Sequence, residues 1–348
     1  MAVGTETPVT APTTSGRTGD RGIWPHLVAL AGVAVILVAV GQLVPAGEQP
    51  LLVRTLVLAL MAIGWNVMSG FGGMFSFGHA AYYGIGAYTS VWLLTTHGVS
   101  PWIGMIAGAV VAALVAVAIG FLSLRYRLKG AYFALATFAF AEMLRLFVTN
   151  SDTFNRASGY TVPLRSQSWW NLQFRPNSPN YYYVVLGLVI LALLITMLYL
   201  RSRSGRFLVA VRDNEAAAGA LGIPVMRTKL TAIALSAAIT SVAGTFFVQY
   251  YFFIDPTGAF GSQVSIQAIL PAVIGGVGTI WGPAVGAIVL GPLSEWTASV
   301  LREPPGWLDL LAGRAGLDVI LYAVLLIVII LVLPKGVYGE IRDRLARR

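Results

Sequence analysis

The sequence predicts an all-α integral membrane protein of about ten transmembrane helices, with both termini cytoplasmic and some helices broken by glycine. Three observations carry that prediction. Charge is scarce: 57% of the 348 residues are hydrophobic and only 11% charged, where a soluble domain carries roughly a quarter charged residues. Lipid removes the need for a polar surface, provided that backbone groups are satisfied within helices. The apolar runs are continuous rather than alternating, which argues for helices over a β-barrel. Lysine and arginine fall unevenly between the loops, as the positive-inside rule requires.

A window of about 19 residues marks candidate spans at 26–46, 52–69, 75–96, 101–123, 130–149, 181–200, 229–252, 264–280, 282–301 and 317–334. Each is near the roughly 20 residues that cross 30 Å of hydrocarbon. The boundary between 264–280 and 282–301 is open to redrawing, because glycines from Gly275 to Gly286 interrupt it. With the N-terminus inside, the cytoplasmic side holds Arg17, Arg21, Arg125, Arg127, Lys129 and the clusters at 201–229 and 335–348. The outer side holds Arg54, Arg156, Arg165, Arg175, Arg302 and Arg314. The net charge of +9 therefore reflects orientation, and no nucleic-acid partner is expected.

Residues 1–23 read as a disordered cytoplasmic tail rich in Thr, Ser, Gly and Pro. A single membrane domain occupies 24–340, with its largest outer loop at 150–180 and a cytoplasmic loop at 201–230; 341–348 is a basic tail. The first span exceeds a signal-peptide core and lacks a basic residue at the very start, so it is read as retained. Trp169 and Trp170 suit a membrane-interface belt. There is no cysteine, and His26, His79 and His97 have no ligand spacing, so no metal site and no catalytic residue is expected.

The cytoplasmic loop contains Arg212-Asp213-Asn214-Glu215-Ala216-Ala217, followed by Gly222 and Pro224. Its punctuation describes one short helix. Asp213 or Asn214 caps the first turn, Glu215 sits where the helix dipole favours an acid, Gly222 takes the left-handed C′ position and Pro224 prevents continuation. Composition alone reads this as an interhelical connector. It also resembles the Glu-Ala-Ala loop of ABC-importer permeases, with the glycine one residue later than in that loop's commonest form.

Four further stretches resemble one branch of those permeases, the LivM/LivH family of branched-chain amino acid permeases. They are the glycine-rich run from Met68 to Tyr88, Lys129 to Ala134 with Phe140-Ala141-Glu142, Gly275 to Ala287, and Leu333 to Gly339. The second is more similar to LivM than to LivH. The resemblance runs in consistent order from about residue 51 to 340. It implies a heterodimer with a second homologous permease, two ABC ATPase subunits that carry ATP and Mg²⁺, and an extracytoplasmic solute-binding protein. In that assembly this chain binds no cofactor, and residues 212–217 with Gly222 contact the ATPase. It implies a bacterial plasma membrane and a branched-chain amino acid substrate, with urea, amides or aromatic acids as alternatives among relatives.

The residues themselves leave some choices open. The glycine blocks around Gly70 and around Gly275, Gly276 and Gly278 either pack helices tightly or line a pathway. About 200 residues separate them, and their shared pattern is compatible with an internal duplication. Ser76, His79 and Tyr82, beside the first block, and Glu295 in the ninth span are candidates to line that pathway. Glu142 and Arg145 share a helical face and form either a self-neutralising pair or a substrate contact; Glu295 has no sequence-local partner. No Gly-x₄-Gly-Lys-Ser/Thr occurs, so a nucleotide site is expected on another polypeptide. An ion-gradient transporter would need acidic residues at mid-membrane, for which Glu142 and Glu295 are the few candidates. A membrane enzyme would need a nucleophile and base that the chain does not present.

Overall fold

The computed structural model describes residues 23–45, 47–175, 178–302, 327 and 336–346. The helices are α1 (Ile23–Leu43), α2 (Gln49–Asn66), α3 (His79–His97), α4 (Pro101–Arg125), α5 (Ala131–Asn150) and α6 (Asn180–Arg201). Then come α7 (Arg203–Asp213), α8 (Glu215–Ala220), α9 (Val225–Tyr251), α10 (Pro256–Phe260), α11 (Ser262–Gly275), α12 (Gly282–Arg302) and α13 (Gly336–Ala346). Two-residue strands β1 (Tyr160–Thr161) and β2 (Phe253–Ile254) pair antiparallel.

Helices lie over every expected span up to 282–301, while 317–334 falls outside the described residues apart from Ile327. Among the described residues, six segments are both long and apolar enough to cross a membrane. α3 is not among them, and its surroundings explain why. It is ringed by α4, α5, α9, α10 and α11, so nearly all of it touches protein rather than lipid and it tolerates Gly, Ser and Tyr where a lipid-facing helix needs Leu or Val. The same logic orders the others. In their apolar windows 78% of α2 and 67% of α9 is buried, against 33% of α4 and 28% of α5, so α2 and α9 are central and α4 and α5 face outward.

Close approach among α3, α4 and α9 depends on small residues. A Cβ on Gly108 would lie 3.1 Å from the Cα of Gly86, and the Thr245 hydroxyl donates to the Gly86 carbonyl at 2.9 Å. Without a hydrophobic drive between helices in lipid, such contact is what holds them.

The loops sort to two ends. At one end the α4–α5 loop, the 201–225 segment and the glycine turn after α11 meet, and α13 begins against that turn, with Gly336 beside Gly276. At the other end the 150–180 loop lies across the helix ends. Ser100 Oγ donates to Trp170 O at 2.6 Å, Trp102 Nε1 to Trp169 O at 2.7 Å, and Arg165 to Leu94 O at 3.0 Å. The rings of Trp169 and Trp170 stay exposed.

Three expected spans are redrawn. The second continues beyond residue 69 as a π-helical turn, Val67–Phe71, and the third begins at His79 rather than at 75. The eighth begins upstream with α10, breaks at Gly261 and ends at Gly275, leaving 276–280 non-helical. Hydropathy windows miss such breaks because the unwound residues are as apolar as the helices beside them.

Candidate functional site

The first glycine block unwinds inside the protein. After the π turn, Gly73 takes φ +66° and the chain runs without helix to Gly78. His79 sits level with Ser236, more than two turns into α9, so the non-helical stretch reaches membrane depth. Its backbone groups cannot rely on water there, and side chains from elsewhere satisfy them. Trp65 Nε1 donates to Ser76 O (2.9 Å), Phe77 N donates to Thr137 Oγ1 (3.2 Å), and Ser69 Oγ donates to Met74 O (3.0 Å). Ser265 on α11 does two jobs. Its hydroxyl donates to Phe77 O at 2.5 Å and accepts from Ala80 N at 3.0 Å, serving as a cap for α3 supplied by another helix.

Ser76 and His79 are fully buried in this network, and Tyr82 packs edge-on to the His79 ring at 5.5 Å. Ser236 Oγ donates its only hydrogen to Gly64 O at 2.7 Å. His79 must then donate from Nε2 to Ser236 Oγ across 2.9 Å, an assignment made from the hydrogen bonding. Nδ1 is left as a buried acceptor with no partner among the described residues. These three residues brace the break from within the bundle.

The second glycine block is a backbone turn. Gly276 (φ +125°) and Gly278 (φ +72°) adopt conformations that side chains resist. Thr279 Oγ1 donates to Gly276 O at 2.8 Å and accepts from Gly282 N at 3.0 Å. The two blocks then meet. Asn66, one residue before the π turn, donates to Thr279 O and accepts from Gly278 N, both at 2.8 Å.

The cytoplasmic-type loop differs from the single short helix expected. α7 runs to Asp213, the chain breaks at Asn214, and α8 is only six residues long. Asn214 Oδ1 caps it by accepting from Ala217 N at 3.0 Å. Its far end closes with Gly222 at φ +80°, Ile223 N bonding Ala218 O and Gly222 N bonding Gly219 O. That double bond is the Schellman arrangement, so the glycine works from one position later than the commonest spacing. Glu215 lies between Lys129 and Lys229, 3.0 Å from each ammonium. Burial pushes its carboxyl up, but the two lysine hydrogen bonds and charges outweigh it and hold Glu215 below the usual carboxylate value.

Arg212 joins this loop to both glycine blocks. Its guanidinium pairs with Asp213 (2.9 Å), and Nη1 reaches Gly70 O at 3.4 Å. A Cβ on Gly73 would lie 2.9 Å from Arg212 Cγ, and one on Gly278 would lie 3.4 Å from Nη1. The arginine stem passes closest to Gly73, where a side chain would crowd it; at Gly278 the guanidinium makes ordinary contact.

Among the described residues, the two acids within expected spans are partnered. Glu142 binds Arg145 on its own helix at 2.9 and 3.0 Å, and Glu295 on α12 faces Arg54 on α2 at 4.0 Å. Sequence reading missed Asn66, Ser236, Ser265, Lys229 and Arg54. Asn66 carried the clearest signal, a lone amide directly before a glycine run in an apolar span.

Many close-packed helices, mid-membrane unwinding and a capped loop at one end define a multi-pass membrane transport component. The chain belongs to the family described as branched-chain amino acid transport system, permease component, which matches residues 50–333. It is 30% identical over 284 residues to the high-affinity branched-chain amino acid transport system permease protein LivM of Escherichia coli (strain K12), covering 75% of this chain and 66% of that protein. It thus spans slightly under two thirds of that relative's length. Its identity to LivH of the same strain is 28% over 294 residues, covering 81% of this chain and 91% of LivH. A probable ABC transporter permease, y4mJ of Sinorhizobium fredii, is 30% identical, covering 76% and 78%. No solved structure matches the chain. Family and apolar helices together make it a multi-pass protein of the bacterial inner membrane.

Proposed function

We propose that this chain is the permease subunit of an ABC importer. Branched-chain amino acids, brought by an extracytoplasmic solute-binding protein, cross between it and a second homologous permease, and two ATPase subunits grip α8 from the cytoplasm. The observation that carries this reading is Arg212, which ties the α7–α8 loop to Gly70 and abuts Gly278. Movement imposed on a six-residue helix held by two lysines has a direct path to both mid-membrane breaks. The end bearing this loop holds Arg125, Arg127, Lys129, Arg201, Arg203, Arg206, Arg212, Arg227 and Lys229, which favours it as the cytoplasmic side.

LivM and LivH are permeases of high-affinity branched-chain amino acid transport systems, which supports branched-chain amino acids as substrate, and urea, amides and aromatic acids stand as the alternatives to test against them. An ion-gradient mechanism finds little support, because Glu142 and Glu295 each face an arginine. The deciding experiment reconstitutes the chain with its partners and replaces Glu215-Ala216-Ala217 with Lys-Trp-Trp. Loss of ATP-dependent leucine uptake with the complex's ATPase no longer stimulated is the expected result. Uptake that persists without ATPase subunits and follows a proton gradient would overturn the reading.

A further inference from the structure

A cavity of about 310 Å³ lies between α2, α9 and the α10–α11 break, toward the end that carries the 150–180 loop. Its walls are polarised. On α2, Arg54, Val57 and Met61 line it; spacings of three and four put them on one helical face, so the wall passes from a cation to hydrocarbon with depth. On α11, Gln263 and Gln267 line the opposite side one turn apart, with Val264 beside them. The volume is at the small end of the range for ligand pockets, right for one small solute and too small for a peptide.

Arg54 lies in the second turn of α2, at the outer edge of its span. Arg54 has a carboxylate opposite, Glu295, but at 4.0 Å the contact is longer than a hydrogen bond, and its side chain remains half exposed. Among the described residues the guanidinium has donors left for a planar anion. Two amides offer both donors and acceptors, and the aliphatic face of α2, opposed by the rings of Phe247, Tyr250 and Tyr251 on α9, suits a hydrocarbon side chain.

We propose that this cavity is a transient binding site for the zwitterion of an aliphatic α-amino acid. Arg54 takes the carboxylate, Glu295 positions Arg54, and the side chain rests against Val57, Met61 and Val264. This rests on the permease reading and adds a way station between delivery and the glycine breaks.

The test uses the assembled complex in lipid, without any binding protein, and photo-leucine, the diazirine analogue of leucine, as the probe. Irradiation followed by peptide mapping is expected to label α2 and α11 at the cavity. Excess L-leucine should compete, and L-leucinamide, which lacks the carboxylate, should not. Arg54→Met is expected to lower labelling at least tenfold, with Arg54→Lys retaining part of it. Val57→Trp, which leaves the Arg54–Glu295 pair in place, should abolish labelling in a complex that still assembles. Label absent from the cavity, or unchanged in Arg54→Met, while the same complex imports leucine once the binding protein is added back, overturns this proposal alone; so does a cross-link showing the cavity filled by the second permease. Cavity label in a complex that imports no leucine even with the binding protein added back sinks the permease reading alone, and neither label nor import sinks both.

Discussion

The two glycine blocks solve the same problem in different ways. Around residues 70–78 the chain unwinds, and side chains such as Trp65, Thr137 and Ser265 satisfy the freed backbone. Around 275–286 the side chains of Thr279 and Asn66 hold the turn, and the main chain lies backbone to backbone, Gly275 against Gly282 and Gly286 against Pro271. The first block leans most on side chains from other helices; the second adds to its side-chain bonds a run of main-chain contacts within and between α11 and α12. Glycine-rich segments of similar composition can thus be held by hydrogen bonds or by hydrogen bonds and shape together.

This contrast predicts a graded set of losses. The largest should come from Gly286→Ala or Gly275→Ala, where a methyl group meets unyielding main chain; about 3 kcal/mol or failure to accumulate is expected, read from thermal unfolding of the purified chain in detergent. Asn66→Leu should come next at about 2–3 kcal/mol, because it removes both bonds between the blocks and strands buried partners. Ser265→Ala should cost about 2 kcal/mol by orphaning Phe77 O and Ala80 N. If Ser265→Ala proves costlier than Gly286→Ala, the division of labour drawn here is reversed.

Two smaller effects concern the loop that joins the blocks. Arg212→Ala should change the melting temperature little while uncoupling ATP hydrolysis from leucine uptake, seen as ATP consumed per leucine imported. Glu215→Gln should cost no more than about 1 kcal/mol at a site a third exposed to solvent. Because its folded-state value is lowered, the wild-type advantage is full above the ordinary carboxylate value of 4.5 and disappears as pH falls through the lowered one. Melting temperatures of both proteins should therefore converge in acid, and a gap that widens there would contradict the lysine-bridged geometry.

Much of this was legible in the sequence. Continuous apolar runs located the helices, and Asn214, Gly222 and Pro224 delimited α8 because caps act over three or four residues. The glycines announced both breaks. The manner of each break was hidden, since Ser265 and Thr137 act on residues 60 to 188 positions away and leave no local pattern. Glu295 looked unpartnered for the same reason: Arg54 faces it from a helix more than 200 residues earlier.

The reliance of residues 77–80 on Ser265 also has a consequence for biosynthesis. The groups it satisfies emerge from the ribosome 185 to 188 residues before it does, a delay on the order of ten to forty seconds at ordinary elongation rates. During that interval α3 has entered the bilayer uncapped, with Phe77 O and Ala80 N lacking the partner that completes them. A hydrogen-bonded turn in the first quarter of the chain thus waits on a residue made in the last quarter.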